Sequence, residues 1–504
     1  MRPLALLLWL AFATGAWPGE VTVRPEMLRP DGGDAFRVTG LDVPDLSDLP
    51  VIDPARDDGP ARLLRHLLAT TSANGHRGVL YDNRDRGHSA LPESTFPGLA
   101  HLRYSPELAG GDFGLAIRLR FPAIVLGNSS TALTRGPDAR SLMRLAMTEP
   151  GFPRLVFALA ANNHLYVYPE HRDHDGVDLY PANWAYMVTS QGSSGSDRPF
   201  LDAFAMTLAA FPREVMAVMK EKGLVVPTLQ MILRRNLRGI DREESYYSGT
   251  AHPTVFDAGR LRPARMVAQA ASLTPDTLPP MVRLGVITED FTAEAGLSGR
   301  SERLFTTPSA IARIWRDLEG RKRMNVSATA TRPRGDGPVA FRWVLLRGDP
   351  ERVSIIPDET GAAAEIIIDW HDAFEVPSPN GPITASRVDI GVFADTGGPP
   401  SAPAIVSISF PTHQSRSYRV VGRGAPILQR IDYDAIGRGA AFDPVLHWSA
   451  PWADEAIRNA DDAITGWRRT SETGVRVVPA GPDASAYEFR SNARGYQVLA
   501  EARP

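Results

Sequence analysis

The chain has 504 residues, 43% of them hydrophobic and 22% charged, with a formal net charge of −3. This composition argues against long disorder, and the charge gives no electrostatic footprint for nucleic acid and no polybasic face for anionic lipid. There is no cysteine, which excludes disulfides, thiol nucleophiles, thiolate metal sites and a Cys-anchored lipoprotein. At roughly 100–200 residues per domain, the length implies two to four domains.

Arg2 is a short basic start, Leu4 to Phe12 an apolar run, and Ala13-Thr14-Gly15-Ala16 a small-residue stretch. This is the three-part layout of a secretory signal peptide, here residues 1–16, and it predicts a secreted or periplasmic protein. The run is too short to span a bilayer, and no later stretch of about 18 apolar residues follows. The expectation is therefore no membrane span after signal cleavage.

Residues 17–320 are read as an α/β domain that carries the candidate site. Leu64, Leu67 and Leu68 give a helical stripe. Four short apolar runs read as strands, ending near Tyr81, Leu126, Tyr168 and Thr189. Each stops at a loop of polar and small residues. Phe200, Phe204, Leu208 and Phe211 then form a helical stripe, with Ser196 or Asp197 as its cap. Further helices are expected over Thr228–Arg235, Pro263–Leu273 and Pro308–Leu318. Strands interleaved with helices of this size define the class.

The pattern changes after Arg321. Val388, Ile390 and Val392 alternate with Arg387, Asp389 and Gly391, and Ala404 to Phe410 alternate in the same way. Period-2 alternation predicts half-buried strands. Phe341 and Trp343 fall on one face of another strand. Residues 321–412 are therefore read as a small β-sandwich. Ser327-Ala328-Thr329-Ala330, Gly335-Asp336-Gly337 and Phe341-Arg342-Trp343 together resemble the PKD-type immunoglobulin-like domains of secreted bacterial proteins. The resemblance covers under a fifth of the chain. It implies an Ig-like fold with Trp343 in its core and a spacer or contact role. The chain departs from that family at Arg347-Gly348-Asp349-Pro350, where an aromatic-Gly-Asp-Gly turn is common. Residues 413–504 form a β-rich C-terminal region. Its Trp448, Trp452 and Trp467 serve either as a carbohydrate-stacking platform or as packing against the sandwich.

Three loops of the first domain carry reactive groups. In Glu170-His171-Arg172-Asp173-His174-Asp175, the His171, Asp173 and His174 side chains suit a divalent metal (zinc, iron or manganese) or acid–base work. The bland reading is a solvated charged loop. In Tyr81-Asp82-Asn83-Arg84-Asp85-Arg86-Gly87-His88, the residues Asp82, Asp85 and His88 are candidate substrate contacts, or simply ion pairs. In Gly192-Ser193-Ser194-Gly195-Ser196-Asp197, exposed N–H groups at a helix start suit an anion through Gly192 and Gly195. Ser193 or Ser194 is a candidate nucleophile with His171 or His174 as base. The alternative is a plain capping turn.

Two functions fit. One is an exported hydrolase acting on an extracytoplasmic small-molecule or polymer substrate. The other is a non-catalytic periplasmic or cell-surface binding protein. They differ in whether the three loops meet. That in turn requires the strands ending at Tyr168 and Thr189 to run parallel.

Overall fold

The computed structural model describes residues 18–32, 35–85, 87–109, 118–129, 146–147, 151–170, 178, 180–293, 301–333, 337–378, 381–411, 414–420, 422, 424–433, 452–481, 484, 486–491 and 497–501. The proposed signal segment 1–16 lies outside them.

The first domain is built on a six-stranded sheet with every pair parallel. Its strands are β1 (Glu20–Val23), β4 (Val79–Asn83), β5 (Ala100–Tyr104), β7 (Ile124–Asn128), β8 (His164–Glu170) and β9 (Val188–Gln191), in the order β1-β5-β4-β7-β8-β9. Short strands β2 (Leu28–Pro30), β3 (Ala35–Val38) and β6 (Arg118–Arg120) form a separate small sheet. The central strands are apolar along most of their length because both faces are covered, as parallel sheets require. Ile124 and Leu126 pack into one core with helices α1 (Gly59–Thr70), α4 (Arg198–Ala210), α6 (Val225–Arg235) and α8 (Pro263–Ser272). Val125, between them, points to the opposite core, beneath α3 (Phe152–Ala161). Helices α2 (Pro106–Ala109), α5 (Arg213–Lys222) and α7 (Glu243–Tyr246) complete the set. α5 ends at Gly223, whose φ of 67° and backbone approach to Ala161 leave no room for a side chain. Among the described residues no helix is long and apolar enough to cross a membrane.

Two further sheets follow. One runs β10-β13-β16-β15, all antiparallel, from β10 (Gly285–Glu289), β13 (Arg321–Ser327), β15 (Val353–Pro357) and β16 (Ala363–Asp369). The other runs β11-β12-β20-β19-β14, from β11 (Arg303–Thr307), β12 (Ala310–Ile314), β14 (Ala340–Arg347), β19 (Arg387–Asp395) and β20 (Ala404–Ser409). In it β12 pairs parallel with β20. Val326, Ile366 and Ile368 of the first sheet share one apolar core with Ile311, Val388, Ile390 and Val406 of the second. A small hairpin of β17 (Phe374–Val376) and β18 (Ile383–Ala385) lies between. The C-terminal region is an antiparallel sheet of β21 (Ser415–Arg419), β22 (Ile427–Asp432), β23 (Trp452–Arg458), β24 (Ile464–Ser471) and β25 (Gly474–Pro479), followed by the pair β26 (Tyr487–Ser491) and β27 (Gln497–Glu501).

Three sequence expectations are corrected here. Pro308–Leu318 is not a helix but contains β12. Ile311 and Ile314 are β-branched, and pairing to β20 on one side and β11 on the other overrides the helical spacing. Strands β19 and β20 are not half-buried. Every residue of β20, and all of β19 except Asp395, is buried. Their polar faces dock on the first domain: Asn183 N–H donates to Ser407 Oγ at 2.9 Å, and Ser409 Oγ donates to the Pro181 carbonyl at 2.7 Å. Finally, Trp343 packs at the margin of the shared core, half-buried, with its Nε1 donating to the Gly361 carbonyl at 2.9 Å. Among the described residues the fully buried tryptophans are Trp315, Trp370 and Trp467. Trp343→Ala is therefore expected to lower stability by about 1–2 kcal/mol, below the usual penalty for emptying a fully buried aromatic site. Urea unfolding checks this, and a loss above about 3 kcal/mol contradicts the marginal position.

Trp452 and Trp467 belong to a separate core with Leu428, Ile431 and Tyr433. Buried Arg469 pairs with Asp454 beneath them and lies 4.2 Å from the Trp452 ring centre. Both rings pack inside that sheet, while Trp448 falls outside the described residues.

Candidate functional site at the carboxyl edge of the parallel sheet

β8 and β9 run parallel, with Glu170 opposite Gln191. All the loops leaving the carboxyl ends of β4, β7, β8 and β9 therefore emerge at one edge. The chain passes from β4 to β5 on one side of the sheet and from β7 to β8 on the other. The switch point thus lies between β4 and β7, where open α/β sheets place their ligand crevice.

Side chains join the loops there. The Tyr81 hydroxyl donates to Asn128 Oδ1 at 2.8 Å, and Asn128 Nδ2 donates to Asp197 Oδ2 at 2.9 Å. Ser89, held at a φ of 53°, accepts the Gly195 N–H on its Oγ at 2.6 Å. The Ser190 and Ser196 hydroxyls are 2.8 Å apart. The loops after β4, β7 and β9 are thus in direct contact. Tyr81, Ser89, Asn128, Ser190 and Asp197 are all buried.

Asp197 occupies the N-cap position of α4, yet its side chain makes no capping hydrogen bond. It turns to Asn128 instead. Burial pushes its carboxyl above the usual aspartate range. Ser89, its own N–H and Asn128 pull the other way, and nearby Asp85 adds to the rise. A buried carboxyl that favours its proton, at a helix N-terminus beside a Gly/Ser loop, is a group of the kind acid–base sites use.

The residues singled out from sequence fall in different places. Asp82 is wholly buried and fully engaged: it accepts Tyr104 at 2.7 Å, Tyr166 at 2.5 Å and Arg84 Nε at 2.7 Å. Arg84 also lies over the Tyr166 ring, 4.7 Å from its centre. Gly127 makes this assembly fit, since a Cβ there would meet the Tyr166 ring at 2.4 Å and the Asp82 carbonyl at 2.5 Å. Asp85 is buried, and His88, 72% exposed, has Nδ1 3.9 Å from it. Gly192 and Gly195 have φ of 118° and 98°, which favours glycine, and both lie in the loop. Ser193 and Ser194 are exposed. Among the described residues no acid or base is hydrogen-bonded to either hydroxyl.

His171, Asp173 and His174 lie outside the described residues. Their near flank, Glu170, is buried and accepts the Tyr180 hydroxyl at 2.6 Å. Among the described residues no three His, Asp or Glu side chains gather in a way that would hold a metal ion. Sequence reasoning passed over Asn128, Ser89 and the carboxyl of Asp197 as site groups. Their common signal was position, one at the end of each apolar run, and residue type alone did not raise them above turn and capping residues.

The fold and edge define a helix-covered parallel sheet with joined polar loops at its topological switch point, followed by further β-sheets. Comparison of the chain with protein-family models and with curated proteins finds no match to either.

Proposed function

We propose that the protein is an exported hydrolase whose site lies at these joined loops. The observation that carries the reading is the direct joining of loops: Ser89 to Gly195 and Asn128 to Asp197. Separate solvated loops would not bury these polar groups against each other. In this reading Asp197 holds or moves a proton. The other N–H groups of the Gly192–Gly195 turn, that of Gly195 being held by Ser89, and the start of α4 take the anionic part of the substrate. The loop after β8 supplies His171, Asp173 and His174, either as ligands for zinc, iron or manganese or as bases for Ser193 or Ser194. Asp85 and His88 line the substrate side. The second domain is proposed to be a PKD-type Ig-like module, a reading supported by two facing sheets with one core. The signal layout supports a secreted or periplasmic location.

The exposed, unassisted hydroxyls of Ser193 and Ser194 favour the second reading, a non-catalytic periplasmic or cell-surface binding protein. Two measurements on the purified mature chain separate the possibilities. A metal hydrolase contains bound zinc, iron or manganese that is lost in both His171→Ala and His174→Ala. A serine hydrolase is metal-free and takes up a serine-directed acylating reagent, and Ser193→Ala or Ser194→Ala abolishes the uptake. Metal-free protein that resists such reagents overturns the hydrolase and leaves the binding protein.

A further inference from the structure

The turn between β12 and β13 holds a second, separate set of reactive groups. Lys322, the second residue of β13, has a fully buried side chain, and so does Glu302. Lys322 Nζ lies 2.9 Å from Glu302 Oε2 and is hydrogen-bonded to Asp317 Oδ2, with the Asp290 carbonyl at 3.3 Å. Glu302 Oε1 accepts the N–H groups of Arg316 at 2.8 Å and Asp317 at 3.1 Å. This fixes the Asp317 backbone against the lysine. Rings close the other sides: the centres of Phe291 and Trp315 lie 4.9 Å and 5.8 Å from Nζ. The Asp317 side chain is 20% exposed, so one edge of the cluster reaches solvent.

The charges do not balance. One ammonium faces two close carboxylates, with Glu319 a third at 3.8 Å. Burial pushes the Asp317 carboxyl up, and Glu302 pushes it further, against the pull of Lys322 and Arg416. The same two carboxylates hold the Lys322 ammonium against the burial that would neutralise it. Burial and Glu302 thus favour the protonated form of the Asp317 carboxyl, and its hydrogen bond to the ammonium gives protons a path within the cluster. An amine, a carboxylic acid and a carboxylate that relays protons are the groups amide formation needs. Holding them together in a desolvated pocket supplies the proximity that the reaction lacks in water.

We propose that Lys322 and Asp317 condense to an intramolecular isopeptide bond, with Glu302 as the proton relay. Glu302 takes one proton from the Lys322 ammonium. The freed amine attacks Asp317 Cγ, forming the N–C bond. A second ammonium proton joins the departing hydroxyl as the C–O bond breaks, and one water leaves by the exposed edge beside Asp317. The third proton stays on the amide nitrogen, and Glu302 ends protonated. No oxidant or other reactant is required. The product covalently closes the turn from β12 to β13.

Intact-mass spectrometry of the purified full chain tests this, with its N-terminus determined independently. The wild type is expected one water lighter than its sequence. Lys322→Arg keeps a cation against both carboxylates but cannot form the amide, and it is expected at full sequence mass. Glu302→Gln keeps the shape, removes the relay and is also expected at full mass, with circular dichroism confirming that both variants fold. A wild type at full sequence mass overturns the proposal. So does a loss of water that persists in Lys322→Arg, since the dehydration then lies elsewhere.

Discussion

Arg387→Ala is expected to lower the unfolding free energy by about 3–5 kcal/mol, the range for removing one partner of a buried ion pair. Arg387 opens β19 and is wholly buried. Its Nη2 lies 2.9 Å from Asp178 Oδ2, its Nε lies 2.7 Å from Asp389 Oδ1, and it also donates to the Tyr180 carbonyl. Asp178 and Asp389 are themselves buried. Alanine would leave two buried carboxylates, with Arg347 touching both of them. Arg387→Lys is expected to recover little, because a compact ammonium cannot reproduce the fork that grips both acids. The network also joins the two domains, since Asp178 comes from the segment between β8 and β9. Asp178 further donates its N–H to the Thr384 carbonyl at 2.8 Å. Urea unfolding followed by fluorescence and by far-ultraviolet circular dichroism should therefore show one coincident transition in the wild type. The same probes should separate in the variant. A stability loss under about 1 kcal/mol, with coincident probes, would show that the domains do not depend on this network.

That network explains where sequence reading of the second domain stopped. The alternation of Val388, Ile390 and Val392 with Arg387 and Asp389 gives the strand and its apolar face. It says nothing about what meets the polar face, and period-2 patterns are usually read as polar-to-solvent. Here the polar face meets Asp178, Tyr180, Pro181 and Asn183, residues over 200 positions earlier in the chain. No local signal encodes such a partner. The α/β class of the first domain was legible because runs such as Val79-Leu80-Tyr81 and Ile124-Val125-Leu126 are apolar at every position, which only a sheet covered on both faces tolerates. Strand direction was not legible. The 178–187 segment is long enough, with what precedes it, for either a crossover or a return, and the register of Glu170 with Gln191 decides it. The Pro308–Leu318 error has the same root. Its apolar spacing fits a helix, and the partners that make it a strand, β11 and β20, are partly distant in sequence. At the carboxyl edge of the sheet the loops could be named from sequence. The groups that tie them together could not, because Asn128 and Asp197 are ordinary turn and cap residues until the parallel sheet sets their ends side by side.

Asp197→Asn is expected to stabilise the fold at neutral pH while reducing the proposed hydrolysis by about 10²–10⁴-fold, the usual contribution of a positioned acid or base. Burial raises the Asp197 carboxyl above its ordinary value. As pH rises from the ordinary aspartate range, the unfolded chain loses this proton before the folded chain does. Stability attributable to Asp197 therefore falls with rising pH, until the folded group has also ionised. Asparagine carries no such charge and still offers an oxygen to Asn128 Nδ2, so the contact at 2.9 Å has a counterpart in the variant. Thermal unfolding of both chains at pH 4 and pH 8 checks the sign: the variant's advantage should appear at pH 8 and shrink or vanish at pH 4. Activity is read as turnover of an activated ester or as the rate of labelling by an acylating reagent. A variant that is more stable and less active identifies Asp197 as a group held at a cost to the fold for the sake of the site. A variant that is less stable, with turnover unchanged, would make Asp197 a structural carboxyl and remove it from the proposed chemistry.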